Sequence, residues 1–130
     1  MEIHIKTIPN DKMRIPGGVG DYWYDHEGVL QVRVVELGDE FMEKSVAAHE
    51  LIEEALTKKR GLPEPEIQAF DDYYSQRQKM GLVPDDAEAG FDPSAPYRNE
   101  HAFATGVELG MCALAGVSWK EYEDKINSIT

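Results

Sequence analysis

Residues 39 to 60, DEFMEKSVAAHELIEEALTKKR, constrain this chain more than any other stretch. At about 100° per residue the segment folds onto a helical wheel with Phe41, Ala48, Leu51, Ile52, Ala55 and Leu56 on one side. Glu43, Glu50 and Glu54 gather opposite, which reads as a solvated face. His49 sits at the apolar edge near Met42 and Leu56, and Glu53 follows one turn later on the same flank. Side chains four residues apart on a helix lie one above the other. His49 and Glu53 are therefore spaced to offer two donor atoms to one metal ion.

The stretch before it sets the surroundings. Val29–Glu36 alternates so that Leu30, Val32 and Val34 face a core while Gln31 and Arg33 face water. With Asp21–Tyr24 and the turn residues Asp25-His-Glu-Gly28, it reads as a β-hairpin. Glu2–Ile8 is a further short strand, and residues 9–20 a loop rich in Gly and Pro. Gly38-Asp39 ends the hairpin and caps the helix, and Gly61 stops it behind Lys58, Lys59 and Arg60.

A second helix spans about Glu64 to Met80, with Ile67, Phe70 and Tyr74 inward and Asp71 beside them. Residues 81–99 form a long acidic loop without period. Its length fits a lid or binding loop, and Asp85, Asp86, Glu88 and Asp92, which match no calcium-loop pattern, read as solvated. The helix from about Glu100 to Ala115 is apolar around nearly its whole circumference, so burial on most sides is expected. Its polar residues keep to one line, His101, Thr105 and Glu108, continued by Cys112. Buried polar groups need partners, and the natural counterpart is the flank of His49 and Glu53. Ser118 to Glu121 form a capping box for a last short helix with Trp119, Tyr122 and Ile126 inward. These elements predict one α+β domain over 1–130, a small N-terminal antiparallel sheet packed against a layer of three to four helices.

The candidate centre is one divalent ion, zinc by ligand type, held by His49, Glu53 and His101. Asp71 is a reserve ligand. His101 and Glu108 lie about 10 Å apart along their helix, so Glu108, and Thr105 with it, would support ligands rather than bind. Glu50 stands where H-E-x-x-H hydrolases keep their general base. The substrate would be a peptide or another small molecule with an amide bond. A packed core histidine among solvated glutamates is the plain alternative.

VAAHELIEEAL, the AFD of Ala69–Asp71 and PYRNEHAFATGVE together resemble a family of small proteins encoded in tailed-bacteriophage genomes. The histidine and glutamate after a strand resemble zincin-type metallopeptidases, with Glu53 in place of their second histidine. The resemblance implies a zincin-like fold and action in the host cytoplasm, but no specific activity.

Composition narrows the alternatives. A net charge of −12 repels phosphate backbones and argues against nucleic acid as partner. The lone Cys112 fits a reducing compartment. No apolar run reaches the roughly 18 residues of a membrane span, and the N-terminus has no signal-peptide pattern. The expected place is the cytoplasm. The helix-borne acids lack the paired E-x-x-E and E-x-x-D sets of all-α pyrophosphohydrolases, and the His-Asp pair of HD enzymes. A binding protein that blocks a host molecule through the same polar cleft is the main alternative, ahead of a virion component. Tyr22, Trp23 and Tyr24 on a short hairpin suggest an exposed apolar patch and a homodimer.

Overall fold

The computed structural model describes residues 1–15 and 17–129. Strands β1 (Ile3–Ile8), β2 (Gly20–Tyr24) and β3 (Leu30–Val35) precede helices α1 (Glu40–Arg60), α2 (Glu64–Lys79), α3 (Arg98–Ala115) and α4 (Trp119–Asn127). The domain is α+β, as the pattern of strands followed by helices predicts.

β2 and β3 form the expected hairpin. Asp25 closes its turn by accepting from the amides of Glu27 and Val29, and Gly28 takes a positive φ of 82°. The sheet order is β1-β3-β2, with β1 parallel to β3, so the sheet is mixed rather than wholly antiparallel. The hairpin fills one edge of β3, and residues 9–19 are long enough to bring the chain back from the other edge. Val32, Val34 and Val35 are buried beneath the helices. Gln31, expected in water, is buried too, because it bonds Asp25 and His4.

α1 is capped by Asp39, which accepts from the Met42 amide, and ends at Gly61 in the left-handed conformation, φ 82°. α1 keeps His49 and Glu53 on the buried flank, as the wheel has them, but Phe41, Ala48, Leu51 and Ile52 are only half-buried, like Glu43 and Glu50. Its buried residues include His49, Glu53, Glu54 and Thr57, while Ala55 and Leu56 are exposed. The cause is β2, whose side chains supply partners for the acids: the Tyr24 hydroxyl donates to Glu54, and Tyr22 meets Thr57. A paired polar face can be buried where an unpaired one cannot.

α3 corrects the sequence in the opposite sense. One side is covered, namely Glu100, His101, Ala104, Glu108 and Cys112; Val107 and Met111 are half-buried, and Ala102, Phe103, Leu109, Ala113 and Leu114 face solvent. Arg60 ties the end of α1 to the start of α3 by donating to Glu100 at 2.5 Å and to the Pro96 carbonyl. The hairpin aromatics form no exposed patch. Tyr22 is buried, Trp23 lies under the guanidinium groups of Arg14 and Arg33, and Lys58 stands over Tyr24. Among the described residues, no helix is long and apolar enough to cross a membrane.

Candidate metal centre

α1 and α3 pack with His49 and His101 facing, their ring centroids 4.7 Å apart. Three donor atoms converge there. His49 Nε2 lies 3.1 Å from Glu53 Oε2 and 3.1 Å from His101 Nδ1, and His101 Nδ1 lies 2.9 Å from Glu53 Oε2. The triangle is almost equilateral. Bonds of about 2.0–2.1 Å in a tetrahedron hold ligands about 3.3–3.4 Å apart, so a zinc ion fits after an outward shift of a few tenths of an ångström. An ion held by these three groups would have a fourth position open.

The His49 ring is fixed from behind. Its Nδ1 bonds the Glu108 carboxylate, and Glu108 accepts in turn from the Tyr122 hydroxyl. A carboxylate on one imidazole nitrogen directs the other toward a metal. His101, bonded to Glu53 through Nδ1, is fixed from behind by packing. Phe91 meets its ring edge-on, and a Cβ at Gly90 would lie 2.3 Å from its Cγ, so only glycine fits. Its Nε2 is buried without a hydrogen bond, and the nearest acid is Glu88, 4.0 Å away. Glu88 is exposed, as the sequence reading expects, and also stands at the edge of the site. Neither Gly90 nor Glu88 stands out in an aperiodic loop, and Tyr122 reads only as an inward aromatic.

Burial alone would lower the His49 pKa, but hydrogen bonds with Glu108 and Glu53 outweigh it and raise the ring to about 11. His101 follows the same pattern, with Glu53 and Glu88 lifting it to about 9. Glu53 moves the other way: burial would raise it, yet the two histidines hold its carboxylate below the usual range. Only one proton can lie on the short line between the two imidazole nitrogens. A cation at the triangle would replace protons there.

Beside the triangle opens a cavity of about 450 Å³, walled by β2, α2 and the loop that carries Asp85, Asp86 and Glu88. Glu50 faces this cavity rather than the outer surface. An ideal Cβ on Gly20 would lie 2.3 Å from its Oε1, so β2 admits the carboxylate only because residue 20 is glycine. Burial, then the neighbouring Glu53, pushes Glu50 up to about 8, and no described residue donates a hydrogen bond to it. Of the remaining sequence candidates, Asp71 lines the cavity but does not join the triangle, because the Tyr97 hydroxyl holds it. Thr105 is half-buried on α3 and bonds none of these groups.

Asp71 carries a pH signature. Burial raises it to about 7, against the Tyr97 hydrogen bond, with Glu53 and Asp21 adding to the rise. A carboxyl whose pKa is higher folded than unfolded keeps its proton better in the native state, so stability falls as pH rises. The loss begins near pH 4 and is complete above about pH 7. Thermal melts of metal-free protein should decline across that window, and Asp71→Asn should flatten part of the decline. An identical slope in both proteins would contradict the shift.

Comparison with family models, with curated proteins and with solved structures gives no match. The fold and site define an α+β protein with a His-Glu-His donor cluster that could hold a metal.

Proposed function

We propose that the chain is a metal-dependent hydrolase of zincin-like type, phage-encoded and acting in the host cytoplasm on a peptide or other amide bond. One observation carries the reading: three donor atoms converge beside a carboxylate that faces a cavity and receives no hydrogen bond from any described residue. Zinc, when bound by His49, Glu53 and His101, supplies a Lewis acid that polarises the scissile carbonyl. Glu50 takes a proton from the water that attacks that carbonyl and returns it to the leaving nitrogen. Glu108 and Tyr122 hold His49 in the binding tautomer throughout.

The test is metal analysis of protein purified without a histidine tag. The expected result is one zinc per chain, a higher melting temperature with zinc, and loss of both in His49→Ala. Affinity should rise with pH, because two imidazoles raised to about 11 and about 9 must shed protons to ligate. Zinc-free protein whose melting temperature ignores added zinc would sink the hydrolase, leaving a pocket that binds by hydrogen bonding alone.

A further inference from the structure

The solvent face of α3 carries Ala102, Phe103, Gly106, Leu109, Gly110, Ala113 and Leu114, all exposed. None has a polar side-chain atom. Between Ala102 and Ala115 the one charged residue is Glu108, which is buried. Phe103 is 60%, Leu109 49% and Leu114 93% exposed. A helix that is apolar all round belongs in an interior, yet the single chain covers one side of this one. The two glycines repeat the point. Glycine weakens a helix interior, and a Cβ at Gly106 or Gly110 would meet nothing within 4 Å. The monomer supplies no reason for either.

We propose that this face is the interface of a homodimer, with α3 crossing its copy at Gly106 and Gly110. Charge selects the occupant. The chain carries −12, so two copies repel except where acids are missing, and this face has none. A basic partner would find nothing here to pair with, and an anionic surface would be repelled by the chain as a whole. The shape is also its own complement. Ala102, Gly106 and Ala113 form a low line between Leu109 on one side and Phe103 and Leu114 on the other. A two-fold axis sets the large residues of each copy beside the small ones of its partner.

Size is sufficient but small. A helix of 18 residues is about 27 Å long and 10–12 Å across, or about 300 Å² of face. The accessible area exceeds this footprint because Phe103, Leu109 and Leu114 stand out from it, which brings the face toward the lower end for specific association. The dimer should therefore be concentration-dependent, and salt should tighten it by screening the repulsion.

Sedimentation equilibrium of the full chain at low and high salt tests this. The expected result is a monomer–dimer equilibrium that tightens with salt. Leu114→Lys and Gly106→Leu should each raise the dimer Kd about tenfold or more. Both sites are open to solvent in the single chain, so both variants should keep the wild-type circular dichroism spectrum. A chain that stays monomeric at every concentration would overturn the proposal. So would variants that dimerise as the wild type does, or association that weakens with salt. Monomers that instead bind vesicles of neutral phosphatidylcholine would overturn it in favour of a membrane.

Discussion

Glu108→Ala is expected to destabilise the protein by about 3–5 kcal/mol, as when one partner of a buried charge pair is removed. His49, Glu108 and Tyr122 are 7%, 7% and 0% exposed. Glu108 is the acceptor that satisfies the other two. Without it, His49 loses the hydrogen bond that does most to raise its pKa against burial, and Nδ1 is left buried with no acceptor opposite. The Tyr122 hydroxyl loses its acceptor in the same step. Tyr122→Phe removes one donor and should cost about 1 kcal/mol. Urea unfolding at pH 7 measures both, and a Glu108→Ala cost below that of Tyr122→Phe would contradict the buried network.

Glu50→Gln is expected to lower turnover of an amide substrate about 10²–10⁴-fold, while zinc affinity stays near wild type. The amide is nearly isosteric and keeps the contact with Gly20, so the change removes a base and little else. Glu50 is not one of the three converging donors. Removing a carboxyl whose ionisation burial opposes should, if anything, stabilise the fold above pH 4.5, and most above pH 8. Turnover that survives the substitution would remove Glu50 from the chemistry. Loss of zinc along with turnover would make it a ligand instead.

The donor cluster was legible because two simple regularities converge on it. His49 and Glu53 are one helical turn apart, and His101 and Glu108 stand on the only polar line of an apolar helix. Each line needs a partner and the chain offers one for each, so the pairing of α1 with α3 followed. What was not legible depends on contacts distant in sequence. Periodicity shows that α1 has two faces but not which is covered. Glu50 and Glu54 are turned inward by Gly20 and Tyr24, residues of a strand 30 positions earlier. The exposed side of α3 is hidden for the same reason, since an apolar pattern records what needs covering, not whether this chain does it. β1 could not be placed from its own alternation, which is compatible with either edge of β3. Glu88 and Gly90 take their meaning entirely from His101.

Zinc-edge anomalous diffraction from crystals grown with the metal tests the centre most directly. One peak should appear about 2.0–2.1 Å from His49 Nε2, His101 Nδ1 and a Glu53 oxygen, with Glu108 still bonded to His49 Nδ1. A peak at any other group of acids, or none at these three atoms under saturating zinc, would contradict it.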